Sequence, residues 1–211
     1  GSNGVETGGG VHNIGGVIDI TAKPELGYEF PSWSSSAPGT ILSAASLQTK
    51  FTVGAGDALI SANYTAIDYN ISITGPNGSQ SGSGIYNIGD AISLTANPDP
   101  GYKFISWSKS GPGSISNTAV SSTTFIVGAG HATITAIYEL IDYTITIEGS
   151  NGTETGSGIY NINNTINITS IPDPGYEFTS WSLTGQGSLD SITSPNTKLT
   201  VGAGNCTVKA I

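Results

Sequence analysis

The sequence predicts an all-β chain built as three tandem small modules of period 74, each with five or six short antiparallel strands, set in a row as a rod. Three observations predict it. Trp33, Trp107 and Trp181 lie 74 residues apart and are the only tryptophans among 211 residues. Val53-Gly54-Ala55-Gly56, Val127-Gly128-Ala129-Gly130 and Val201-Gly202-Ala203-Gly204 keep the same spacing, as do Gly27-Tyr28, Gly101-Tyr102 and Gly175-Tyr176. A fixed internal period is the mark of one structural unit repeated in tandem. Second, apolar and polar residues alternate with period two through many short stretches, and no helical periodicity interrupts them. Third, glycine and proline punctuate those stretches at regular intervals. The register divides the chain into modules at 1–67, 68–141 and 142–211.

The second repeat is complete and shows each element in turn. Tyr69-Asn70-Ile71-Ser72-Ile73 alternates as a half-buried strand does. Pro76-Asn77-Gly78 reverses the chain, with Gly78 expected to supply the positive φ. A Gly/Ser-rich stretch leads to a short strand at Gly84-Ile85-Tyr86, which ends near Gly89-Asp90. Ile92-Ser93-Leu94-Thr95-Ala96 alternates again. It stops at Pro98-Asp99-Pro100-Gly101, where two prolines remove ladder donors and a glycine frees the turn. Tyr102, Phe104 and Trp107 follow, and the interval of three between the last two requires a β-bulge if the rings are to share a face. After a loop at Gly111-Pro112-Gly113, Thr124-Phe125-Ile126-Val127 and Ala132-Thr133-Ile134-Thr135-Ala136 are the final strands, joined tightly through Gly128-Ala129-Gly130.

Junctions are short. Only Glu139-Leu140-Ile141-Asp142 separates the last strand of the second unit from the first strand of the third, which is no flexible Gly/Ser linker. The ends pose a different question. Projecting 69–74 back by one period falls before Gly1, so the first module lacks its opening strand. The economical expectation is that 1–211 is a slice of a longer array. The alternative is that the open edge beside Gly1 pairs with another molecule, as open sheet edges do.

Composition narrows function. The net charge is −9, with no arginine and six lysines, so the clustered cations that nucleic acid or an anionic membrane surface requires are missing. No apolar run is long enough to span a bilayer as a helix. Cys206 is the single cysteine. It stands where Ala58 and Ala132 stand in the other repeats, and reads as a buried thiol.

The same register tests candidate sites. Residues recurring at all three positions are core and turn types: Tyr28, Tyr102 and Tyr176; Phe30, Phe104 and Phe178; Trp33, Trp107 and Trp181. These nine read as the structural core. The competing reading is an exposed aromatic platform for sugars. His12 aligns with Tyr86 and Tyr160, and His131 with Asp57 and Asn205, which makes neither a zinc site nor a triad. Glu29 and Glu177 share a position with Lys103, as a solvated face does, and no catalytic residues are expected. Asp68, Asp142 and Glu139 at the junctions have calcium-ligand chemistry. One or two carboxylates per junction is thin coordination, so no metal or cofactor is expected. Asn-x-Ser/Thr sequons begin at Asn63, Asn70, Asn77, Asn151, Asn163, Asn167 and Asn205. A source that glycosylates its surface proteins would coat the modules there.

One further pattern combines these residues. Tyr143-x-Ile145-x-Ile147 is followed by a Gly-rich turn, Ile166-x-Ile168-Thr169, Pro172-x-Pro174-Gly175-Tyr176-x-Phe178-x-x-Trp181-Ser182, Leu199-x-Val201 and Val208-x-Ala210. It resembles the divergent internalin-type B-repeats, also called Listeria–Bacteroides-type repeats, over nearly the whole chain. The resemblance implies a β-sandwich or β-grasp-like module without catalytic residues, found in arrays on bacterial and archaeal surface proteins. The extended Val-Gly-Ala-Gly turn and the missing first strand depart from the common form.

The expected function is a non-enzymatic structural segment of an extracellular, cell-surface protein or filament, acting as a stiff stalk or spacer or as a self-assembling fibre subunit. Its partners would be further repeats of a longer array, neighbouring copies of itself, glycans or a host surface, with no nucleic acid and no membrane insertion. The alternative is a carbohydrate-binding or cell-adhesion module using exposed aromatics.

Overall fold

The computed structural model describes residues 2–211, and all regular structure in it is β. The first module contains β1 (Gly4–Thr7), β2 (Val17–Pro24), β3 (Tyr28–Ser35), β4 (Gly39–Ile41), β5 (Gln48–Val53) and β6 (Ile60–Ala66). The second contains β7 (Tyr69–Thr74), β8 (Gly78–Ser81), β9 (Gly84–Tyr86), β10 (Ala91–Pro98), β11 (Tyr102–Ser110), β12 (Gly113–Ile115), β13 (Ser122–Val127) and β14 (Ala132–Leu140). The third contains β15 (Tyr143–Glu148), β16 (Gly152–Thr155), β17 (Gly158–Tyr160), β18 (Thr165–Pro172), β19 (Trp181–Leu189) and β20 (Asn196–Ala210).

The second module sets the pattern: two four-stranded sheets, ordered β12-β13-β10-β8 and β11-β14-β7-β9, face each other. Ile92, Leu94, Phe125 and Val127 from one sheet meet Tyr69, Ile71, Trp107, Ala132 and Ile134 from the other in one buried cluster. Alternation drives this, because period-two side chains place every second residue of β10, β14 and β7 inside. Nearly all pairings are antiparallel. The exceptions are β7 with β14 and β15 with β20, where the first and last strands of a module run side by side in the same direction.

The structure refines three local expectations. β8 and β12 are strands where glycine and serine suggest only turns. Both are short edge strands held by ladder bonds to β10 and β13, with little apolar face to show in the sequence. Asn77, not Gly78, takes the positive φ, at 69°, as Asn3 and Asn151 do in the flanking repeats. Gly78 is needed for a different reason, since a Cβ there would meet the Tyr138 ring at 2.6 Å. In the third module, 196–210 is one continuous strand that does the work of both β13 and β14, so its two sheets join through β20. The β-bulge between Phe104 and Ser106 lies where the aromatic spacing places it.

The end modules differ from the middle one in what they can pair. Residues 10–12, which match β9, form no strand, and Val11 is fully exposed. Residues 176–180, which match the start of β11, are likewise unpaired in a ladder, and Tyr176 is exposed.

Cys206 sits in the third core beside Ile145 and Val208, and burial pushes its thiol pKa up. The unfolded chain therefore ionises this thiol more readily than the native one, so its contribution to module stability is intact at neutral pH and declines as pH rises through the thiol range. Thiol-specific reagents are expected to modify Cys206 at least tenfold more slowly in the native protein than in denaturant at pH 8. Equal rates in both conditions would show that the third core admits the reagent.

Candidate functional site

Each tryptophan is a packing centre and a clamp. Trp33, Trp107 and Trp181 are 5%, 3% and 3% exposed. Their indole N–H groups donate to the carbonyls of Ser46, Val120 and Ser194, at 2.9, 3.0 and 2.9 Å. The backbone N–H of each also donates into the same loop, to Ala44, Thr118 and Ile192. Each ring therefore fixes a strand to the loop thirteen residues on. Phe30, Phe104 and Phe178 pack against them with ring centroids 5.5, 5.5 and 5.2 Å apart, and are themselves only half-buried. Tyr28 and Tyr102 are half-buried as well, whereas Tyr176 is exposed.

The junctions carry the most specific geometry. Ile67 and Ile141 pack against the core of the module that follows them. Their backbone N–H groups donate backwards, to Gly27 and Gly101 of the module before, at 2.9 and 2.8 Å. Asn87 Nδ2 closes the first junction by donating to the Ile67 carbonyl and to Asp68 Oδ1, both at 3.0 Å. Asn161 does the same at the second, to the Ile141 carbonyl at 3.0 Å and Asp142 Oδ1 at 2.9 Å. Gly27 and Gly101 seat the side chains of Ile88 and Ile162 so closely that a Cβ on either glycine would overlap them. Both glycines also need φ near +85°. Two junctions thus share one lock: a glycine cup, an isoleucine filling it, and an asparagine bridging the linker.

Asp68 and Asp142, the residues with calcium-ligand chemistry, each accept a hydrogen bond from that bridging asparagine. Glu139 lies 3.4 Å from Lys103 on an exposed surface, a pairing worth little. Among the described residues, no three His, Cys, Asp or Glu side chains gather in metal-binding geometry. All seven sequon asparagines are exposed. Two of these side chains are engaged: Asn63 Nδ2 donates to Ser32 Oγ, and Asn205 Oδ1 accepts from the Thr144 N–H.

Sequence reasoning missed Asn87, Asn161, Ile88 and Ile162. They recur at the period, together with Asn13 and Ile14, but nothing in their local pattern marks the linker that the asparagines bond or the glycine of the preceding module that the isoleucines fill. Alignment alone could not distinguish them from the turns.

A groove of about 570 Å³ opens in the first module between its sheets. Ile18, Ile20, Trp33, Phe51, Val53 and Ile60 line its apolar floor, and Asp57 stands at its rim. A smaller groove of about 300 Å³ lies beside Tyr176 and Phe178 at the other end.

A family model describing the divergent InlB B-repeat domain matches the chain three times, over residues 1–68, 69–142 and 143–211. No curated protein matches the chain.

Proposed function

We propose, from the premise that the chain belongs to the divergent InlB B-repeat family, that it is a non-catalytic stiff spacer segment of a cell-surface protein. The observation that carries this reading is the repeated junction lock. A linker whose side chain sits in one module and whose N–H is bonded to the other has no freedom to act as a hinge. Because the lock is the same at 67–68 and 141–142, each module repeats the orientation of the last, and a row of them projects whatever it carries. The tryptophan faces are turned inward, which supports a spacer over a tryptophan-based sugar platform. Low charge and an acidic balance suit a surface that stays solvated without attracting polyanions.

Small-angle X-ray scattering of the full chain tests this. Scattering from one elongated rigid particle is expected. A profile that requires chains bent to many angles would overturn the reading. Replacing Asn87 and Asn161 together with alanine removes two hydrogen bonds at each junction and should weaken each docking by about 1–3 kcal/mol. The double variant is expected to broaden the scattering into such an ensemble while its far-ultraviolet spectrum stays unchanged.

A further inference from the structure

In the second and third modules the parallel pair of first and last strands is pinned at its start by a side chain. The ladder between β7 and β14 begins at Ile71 and Ala132. The N–H of Asn70 lies one residue ahead of it and donates to His131 Nδ1 at 2.8 Å. The ladder between β15 and β20 begins at Ile145 and Cys206. There the N–H of Thr144 donates to Asn205 Oδ1 at 2.9 Å. The two pins stand 74 residues apart, at one register position, and hold the same atom of the same strand.

Their chemistry differs. A carboxamide oxygen accepts a hydrogen bond in acid and base alike. An imidazole nitrogen accepts only while it carries no proton, and both ring nitrogens are donors once the ring is charged. Histidine is also the side chain that ordinarily changes charge between about pH 5 and 8. A protonated ring would set one N–H against another at the start of β7, and the pin would be lost.

Nothing around His131 compensates for that charge. The residue is exposed, so protons reach it. Its ring meets the buried Tyr69 ring at 81°, with centroids 6.1 Å apart, which holds the imidazole beside β7. The shallow groove at this point is lined by Asn70, Ser72, Ser110 and Thr133, none of them charged. On β11 the nearby charged group is Lys109, whose Nζ donates to the Gly111 carbonyl at 3.0 Å. Ahead of β7 it is Asp68, whose Oδ1 accepts from Asn87. Among the described residues, no carboxylate forms an ion pair with His131.

We infer that His131 is a pH-sensitive pin, which releases the start of β7 when acid protonates the ring, while Asn205 keeps β15 fastened. Tyr69 and Ile71 of β7 belong to the second core, and Asp68 just ahead of them is part of the first junction. Acid therefore loosens one edge of the second module and leaves the third as it was. The inference goes beyond the spacer role and would stand if that reading failed.

Amide hydrogen exchange of the full chain, followed residue by residue by nuclear magnetic resonance at about pH 7.5 and about pH 5.5, tests the pin. This window spans the histidine range and lies above the ordinary titration of carboxylates. Protection is taken relative to the unstructured rate at the same pH. Protection of the Asn70 N–H is expected to fall roughly threefold to tenfold on acidification, the equilibrium weight of one hydrogen bond. Protection of the Thr144 N–H should hold within about twofold. His131→Asn should abolish the fall at Asn70, and Asn205→His should install one at Thr144. Each substitution gives one module the residue that already serves in the other. Equal responses of Asn70 and Thr144 in the native chain, a fall that survives His131→Asn, or no fall at Thr144 in Asn205→His would overturn the inference.

Discussion

Trp107→Ala is expected to cost the second module about 3–5 kcal/mol, the range for removing a large aromatic from a packed core. The middle module is the fairest place to measure it, since both of its sheets are complete. The substitution removes the ring that joins Phe104 to the buried cluster and frees the loop that the indole N–H and the backbone N–H both hold. A unit of this size has a small core, so a loss of this size is comparable to its whole stability. Denaturant unfolding followed by circular dichroism should show one of three transitions moved far to lower concentration. Trp107→Phe keeps much of the packing and loses the N–H donor, and should fall between, at about 1–2 kcal/mol. Tyr176→Ala, at an exposed position, should change stability by less than about 0.5 kcal/mol. If Trp107→Ala proved as mild as Tyr176→Ala, the ring would not organise the module.

Gly101→Val should have the next largest effect, and a matched control separates its two causes. Gly101 has φ of 85° and Gly175 has φ of 91°, so a β-branched side chain strains the backbone at both positions, by about 1–2 kcal/mol. Only at Gly101 would the new side chain overlap Ile162 of the next module, while nothing lies within 4 Å of a Cβ at Gly175. Overpacking there should add about 1–3 kcal/mol and push the second and third modules apart. Hydrogen exchange at the Ile141 N–H, which donates to the Gly101 carbonyl, should rise in Gly101→Val and stay unchanged in Gly175→Val. Equal behaviour of the two variants would mean that the glycine cup does not hold the junction.

The period-74 register made the cores legible, because buried residues repeat their type as well as their position. Trp33, Trp107 and Trp181 could be placed inside without coordinates, and the three-residue interval after Phe104 marked the bulge. Other features were illegible for separate physical reasons. β8 and β12 present little apolar alternation, being edge strands held by their ladders. The side-by-side placement of β7 and β14 depends on strand order, which local pattern does not encode. His131 and Asn205 look unrelated as residue types, yet each accepts the N–H of the second residue of its module's first strand, and only geometry shows that acceptance is what recurs. The junction lock was hidden because its glycine and isoleucine lie about sixty residues apart and in different modules.

The parallel pairing of first and last strands has a further consequence. Tension along the chain enters the second module at the start of β7 and leaves at the end of β14, and the third likewise through β15 and β20. Parallel neighbours pulled from opposite ends are loaded in shear, so their ladder bonds share the load instead of opening one at a time. Resistance to such loading is set by the barrier to unfolding and not by equilibrium stability. Under load the second and third modules are therefore stiff elements in series, each clamped where the chain enters and leaves it.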